Sequence, residues 1–231
     1  MDKSRPILRP KPFKHFPAAK VIYIPVDLPS GLIAKHLREK TSRIEISEWG
    51  TLIGIPDKTV MFKTMGAPLA VMTLERLLAG GAGEILVLGF CGALTPRLRI
   101  GTAVSAVKAY SDEGTSRHYA PGKKIFKPGA VFQKAIEDAL RSRRLPFVTA
   151  KAVSTDAPFR ETPEWLMSMR RKGCEVADME TSAVFALAAH YRRPAASLML
   201  VSDELDDDTW RNGFFDSGLN DEVRRYFLPF L

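Results

Sequence analysis

The sequence predicts an α/β fold with three layers, α/β/α, around a mixed central sheet. Three observations carry that expectation. Apolar or β-branched runs of strand length alternate with segments of helical periodicity along most of the 231 residues, the pattern of a sheet covered by helices. The run Glu84-Ile-Leu-Val-Leu-Gly-Phe90 is apolar without alternation, as suits a strand buried on both faces. No glycine pattern matches a dinucleotide or phosphate-loop fingerprint, since Gly89-Phe-Cys-Gly92 lacks the spacing, so dehydrogenase and P-loop NTPase readings fall away.

The elements follow in order. Lys20 to Val26 reads as a first core strand and Thr59 to Lys63 as another. Gly66-Ala-Pro68 punctuates, Leu69 to Ala79 has helical apolar spacing, and Gly80-Gly81 stops it. After the buried strand at Glu84–Phe90, Thr102 to Ala109 alternates as a strand, and Gly129 to Arg143 is an amphipathic helix behind Pro128. Pro146 to Val153 is a strand. Thr162-Pro163 opens a helix with a cap and a first-position proline, and Gly173 ends it. Cys174–Ala177 reads as strand, Glu180–Tyr191 as helix, Ala195–Val201 as strand and Leu219–Phe230 as a closing helix.

The length suits one domain with a full core, and 45% hydrophobic with 26% charged residues is ordinary for a globular chain. Residues 1–19, with Pro6, Pro10, Pro12 and Pro17 among cations, read as a basic proline-rich arm, extended or poorly ordered, and 20–231 as the domain. The arm lacks the apolar centre of a secretion signal, so a cytoplasmic location is expected. No apolar run reaches the roughly 18 residues that span a bilayer, and no membrane partner is expected. The net charge of +8 is scattered, apart from the arm, Arg141–Arg144 and Arg170–Lys172. With no zinc-finger, RRM or basic-helix motif, nucleic acid is not expected as a partner. A cationic field would instead collect anionic substrates such as phosphate. Cys91 and Cys174 lack any paired spacing and read as reduced, buried residues, with no metal site.

The chemistry concentrates in Val176-Ala-Asp-Met-Glu-Thr-Ser-Ala-Val-Phe185 and Val201-Ser-Asp203. Each segment ends a strand with acids, a combination suited to holding a polyol and protonating a leaving group. An acid at position 180 also suits a helix start through the helix dipole. Asp206 to Asp208 read as a solvated acidic loop.

These segments resemble the Glu-Met-Glu-(Ser/Ala)-Ala motif and the downstream Ser-Asp motif of the nucleoside phosphorylase and nucleosidase superfamily, and the resemblance extends over about residues 20 to 205. It implies a phosphorylase-like fold and cleavage of an N-glycosidic bond, with Glu180 and Asp203 as the catalytic pair. Glu180 would bind the ribose hydroxyls and steady the oxocarbenium-like sugar. Asp203, oriented by Ser202, would give a proton to a purine base. Met179 would pack on the sugar, with Asp178 standing where the family has glutamate. Lys151 to Thr162 is similar to the family's base-binding segment, so Phe159 would stack on the base. Arg160 would contact a base carbonyl or stand as an exposed turn arginine. Ser111 to Pro121 is similar to a uridine-phosphorylase segment, in which His118 would border the pocket or a subunit contact. Gly89, Phe90, Cys91 and Gly92 match the family's glycine strand end.

The sequence departs from the pattern at phosphate. Val87 and Phe90 stand where phosphorylases have an arginine and a hydroxyl residue, and Pro25-Val-Asp-Leu-Pro-Ser-Gly31 replaces the phosphate segment near the N-terminus. Arg43, near where the resemblance has hexameric phosphorylases lend an arginine across the subunit interface, and Lys63 and Arg117 are the candidate compensating cations. The resemblance implies a phosphorylase with inorganic phosphate as co-substrate and no other cofactor. A hydrolytic nucleosidase and a non-catalytic nucleoside-binding or storage-type member are the alternatives. It also implies a homodimer or homohexamer with a small-molecule nucleoside as partner.

Overall fold

The computed structural model describes residues 6–16, 19–41, 43–47, 50–206 and 209–231. In chain order the elements are β1 (Lys20–Ile24), α1 (Leu32–Lys40), β2 (Arg43–Ser47), β3 (Gly50–Ile55), β4 (Lys58–Phe62), α2 (Ala67–Ala79), β5 (Glu84–Ala93) and β6 (Ala103–Ser111). They continue with β7 (Ile125–Phe126), α3 (Ala130–Ser142), β8 (Val148–Ser154), α4 (Pro163–Arg171), β9 (Val176–Asp178), α5 (Thr181–His190), β10 (Ala195–Leu205), β11 (Trp210–Asn212) and α6 (Ser217–Tyr226).

Among the described residues all eleven strands belong to one mixed sheet, in the order β11-β10-β6-β8-β9-β5-β1-β4-β3-β2, with β7 on β6. The pairing of β10 with β5 closes β5, β10, β6, β8 and β9 into a ring. The open wing carries on through β1 to β2. Strand alternation assigns the layers. Val21 and Tyr23 of β1 face a core with α2 and α5, whereas Ile22 and Ile24 face one with α1, α3 and α6. Both sheet faces are thus covered, which is why β1, β5 and β10 read as nearly unbroken apolar runs.

The described part of the arm is not set apart from this core. Phe13 and Phe16 are buried in the layer of α2, the Arg76 guanidinium lies 3.7 Å from the Phe13 ring centre, and Arg76 Nε donates to the Lys11 carbonyl at 2.8 Å. Burying two phenylalanines outweighs the extended tendency of the prolines. Pro17, Asp207 and Asp208 lie outside the described residues, and Asp206 lies in the loop after β10.

Helix α1, which local periodicity did not reveal, buries only Ile33 and Leu37 and has Gly31 at its N-cap. Its cap comes from further back. The Asp27 carboxylate accepts from the amides of Leu28, Ile33 and Ala34 at 2.8, 3.1 and 3.0 Å. Among the described residues no helix is long and apolar enough to cross a membrane.

Candidate active site

Three neighbouring strand ends build the site. Register places Asp203 of β10 beside Gly92 of β5, and Gly92 beside Ala177 of β9. An irregularity between Val201 and Asp203 re-aims the end of β10. A cavity of about 480 Å³ opens above them. Asp178, Met179, Glu180, Ser202 and Asp203 line it, together with Phe90, Cys91 and Gly92.

Glu180 is buried, and its Oε1 accepts from the Gly66 amide at 2.6 Å, at the start of α2. Gly66 has φ +93°, a conformation costly for any residue with a Cβ, so the sequence break there serves the site. Burial first, and the Asp178 charge second, push the Glu180 carboxyl up to about 8. Asp178 is also raised by burial, but its oxygens are engaged. Oδ1 accepts from Ser154 Oγ at 2.5 Å, and Oδ2 from the Thr181 amide at 2.8 Å, tying down the start of α5.

At the opposite wall, Ser202 Oγ donates to Asp203 Oδ1 at 2.7 Å, and Trp210 Nε1 donates to Oδ2 at 2.9 Å. A Cβ on Gly92 would stand 2.9 Å from Asp203 Oδ2 and 2.6 Å from Leu205 Cδ1. Glycine is needed there for a close approach rather than for its backbone angles. Phe90 stacks edge-on to Phe214 at 5.3 Å and tilted against Phe227 at 5.6 Å. The Cys91 thiol is buried and raised by that burial. Phe159, 97% exposed, stands at the mouth.

The remaining sequence-predicted residues do not meet in this cavity. Gly89 is buried outside the lining, where an added Cβ would meet Val87 and Pro25 at ordinary contact distance. Arg160, His118 and Arg117 are exposed and outside the lining. Lys63 is exposed, with its ammonium 5.4 Å from the Phe62 ring centre. Arg43 lines a separate, more open cleft with Lys20 and Lys58. Val26 and Pro25, from the segment comparable to the phosphate loop, do line the cavity, but Asp27 turns to cap α1. Among the described residues no lysine, arginine or histidine lines the cavity, and no cluster of His, Cys, Asp and Glu is placed to hold a metal ion.

Sequence reasoning passed over Glu161, Trp210 and Phe214, all of which line the cavity. Glu161 had a signal, since it follows Phe159 and Arg160 in the base-binding segment. Trp210 and Phe214 come from the stretch after the acidic loop, where no periodicity marks them. Burial, with the Asp203 charge second, pushes the Glu161 carboxyl up to about 7.

The family model described as the phosphorylase superfamily matches residues 34–225. The chain belongs to the phosphorylase superfamily. The DeoD-type purine nucleoside phosphorylase of Bacillus cytotoxicus is 28% identical over 144 residues, 61% of this chain and 61% of that protein. The chain spans about three fifths of the length of the curated relatives it matches. Among solved structures, purine nucleoside phosphorylase from Toxoplasma gondii in complex with immucillin-H is similar at a TM-score of 0.75 and 18% identity, over 91% of this chain and 89% of that one. The 5′-methylthioadenosine/S-adenosyl homocysteine nucleosidase of Campylobacter jejuni gives 0.75 at 16% identity, over 91% and 96%. The phosphorylase-superfamily fold thus encloses a largely apolar cavity with four carboxyl groups on its wall and, among the described residues, no cation.

Proposed function

We propose that this chain hydrolyses the N-glycosidic bond of a nucleoside, a purine nucleoside first, with water as the nucleophile. The relatives named as phosphorylases and as a nucleosidase support cleavage of that bond. The choice of water is carried by one observation, the cavity wall. Glu161, Asp178, Glu180 and Asp203 line it, and no described cation does. A phosphate dianion held on a wall of carboxyl groups with no cation would lose hydration without compensation. Its other footholds are also taken. The Ile33 and Ala34 amides at the start of α1 already donate to the Asp27 carboxylate, Val87 is buried in the core, and Phe90 is locked among aromatics.

In this reading Glu180 accepts from the ribose hydroxyls, Met179 packs on the sugar, and Phe159 closes over the base. As the bond from C1′ to the base nitrogen breaks, its electron pair leaves with the base, and positive charge grows on the sugar. The carboxyl groups around it oppose that charge. A proton from a carboxyl group at the Asp203 wall makes the departing base neutral. Water bonds to C1′ and gives up a proton, so the products are free base and ribose.

The test is base release from a panel of nucleosides, followed by chromatography, with and without phosphate. Equal release in both, with free ribose as product, is expected. Release that requires phosphate and yields ribose 1-phosphate would overturn the choice of water.

A further inference from the structure

We propose that Trp210 is a positioning residue for the acid at the Asp203 wall, fixing which of its two oxygens carries the proton that the departing base takes. This rests on the nucleoside-cleavage reading and deepens it at that wall. Trp210 Nε1 lies 2.9 Å from Asp203 Oδ2. An indole N–H can only donate, so Oδ2 is held as an acceptor in either state of the carboxyl group. Oδ1 has a different neighbour. Ser202 Oγ lies 2.7 Å from it, and a hydroxyl both donates and accepts. The serine hydrogen has a second acceptor, the Cys91 carbonyl at 3.4 Å. With the hydrogen turned to Cys91, Ser202 Oγ accepts from a protonated Oδ1. With it turned to Oδ1, Ser202 Oγ donates to a carboxylate. The serine follows Asp203 through both states, and the tryptophan does not. The proton therefore sits on Oδ1.

The way Trp210 is carried supports this role rather than packing. Strand β11 hangs on the end of β10, pairing Asn212 with Asp203 and Trp210 with Leu205. Its three residues are exposed, and Trp210 keeps 61% of its surface open. A large aromatic side chain stabilises a fold by having its ring covered. Here the ring stays open, while its one polar atom is directed at the acid on the cavity wall. Gly92 closes the other side, since a Cβ there would stand 2.9 Å from Oδ2. Oδ2 is thus held between the end of β5 and the indole, and Oδ1 is the oxygen left to exchange Ser202 for a ligand. In the reaction the Oδ1–H bond breaks as the base nitrogen takes the proton, and the C1′–N electron pair leaves with the base. The carboxylate that remains accepts from both Trp210 and Ser202, and the proton lost by the attacking water restores the acid.

The experiment is a double-mutant cycle of Trp210→Phe, which keeps a ring without the N–H, and Asp203→Asn. Rates and KM are measured on adenosine and inosine, and on p-nitrophenyl riboside, whose leaving group departs without a proton. Trp210→Phe should lower kcat on the purine nucleosides roughly tenfold with KM little changed, a part of the roughly 10²–10⁴-fold that a placed acid is worth. On p-nitrophenyl riboside the loss should stay within about twofold, since no proton is needed there. In the Asp203→Asn background Trp210→Phe should cost nothing further, because residues that act as a unit are not additive. Losses that add in the cycle, equal loss on both substrate classes, or a parental kcat in Trp210→Phe would each overturn the role while leaving the cleavage reading intact. A lower melting temperature for Trp210→Phe, with both substrate classes failing together, overturns it as well, since the residue would then serve the fold. No base release by the unaltered protein from any nucleoside would instead remove the reading beneath it.

Discussion

Replacing Glu180 by glutamine should cost activity and add stability, and the sign of the second effect follows from burial. The Glu180 carboxyl moves from its ordinary value of 4.5 to about 8 in the folded chain. Below pH 4.5 both folded and unfolded chains carry the proton, and folding is unaffected. Between 4.5 and 8 the unfolded chain loses a proton that the folded chain keeps, so stability falls as pH rises. Above 8 the full cost is present. At about 1.4 kcal/mol per pH unit the interval corresponds to roughly 5 kcal/mol. Asp178 shares the titration and the cavity opens to solvent, so the share carried into stability is smaller, on the order of 2 kcal/mol. Glutamine keeps an oxygen for the Gly66 amide and offers an N–H₂ toward Asp178. At 2–4 °C per kcal/mol for a chain of this size, Glu180→Gln should melt about 4–8 °C higher than the parent at pH 8. At pH 5 the two should nearly coincide. The assay is a pair of thermal melts at the two pH values, with kcat/KM on the best nucleoside, expected to drop at least about tenfold. A variant that melts no higher than the parent at pH 8 would refute the electrostatic reasoning. Unchanged kcat/KM would remove Glu180 from the ribose.

Two further substitutions probe how the acids are held. Gly92→Ala inserts a methyl group 2.9 Å from Asp203 Oδ2 and 2.6 Å from Leu205 Cδ1. It should cost about 1–3 kcal/mol by overpacking and displace Asp203 from Trp210, with activity falling further than the lower melting temperature explains. An alanine variant with parental turnover would mean that the close approach is unimportant. Asp178→Ala strands the buried Thr181 amide and the Ser154 hydroxyl, worth roughly 1–3 kcal/mol. Asp178→Asn, which keeps an acceptor, should stay closer to the parent in thermal melts. Equal melting of the alanine variant and the parent would show that Asp178 is not the anchor of α5.

What the sequence made legible was whatever depends on local pattern. The buried runs at β5 and β10, the Thr162 cap of α4 and the acids at two strand ends all declare themselves within a few residues. Glu180 and Asp203 could be singled out because their segments resemble the two acid motifs of the superfamily, whereas local pattern alone leaves Glu180 equally readable as a helix-capping acid. The elements missed are those whose stability comes from elsewhere in the chain. Helix α1 has two buried anchors and a cap donated by Asp27, ahead of the helix itself. Strand β11 exists by pairing Trp210–Asn212 with the end of β10, and all three of its residues are exposed. The closed ring of five strands was equally hidden, because closure requires β10 to pair with both β5 and β6. The cations separated for a related reason. Lys63 and Arg117 stand out by charge alone, and charge carries no information on which way a strand edge or turn will face, whereas Arg43 would act across a subunit interface.

The cavity follows the rule that buried acids without a cation hold their protons in the resting protein. Four carboxyl groups surround an apolar space, and two of them, Glu161 and Glu180, are pushed to about 7 and 8. An internal arginine or lysine would relieve that cost at once, yet none among the described residues lines the wall. An arrangement that leaves acids without a cation in the resting protein is adapted to a cation that appears later. The sugar of a breaking nucleoside supplies one. Positive charge at C1′ is absent from the bound substrate and largest in the transition state, so stabilisation by these carboxyl groups falls where it accelerates the reaction. A resident cation would neutralise that advantage, and a phosphate dianion would lose hydration without compensation. Water does neither, and that difference is the electrostatic case for hydrolysis.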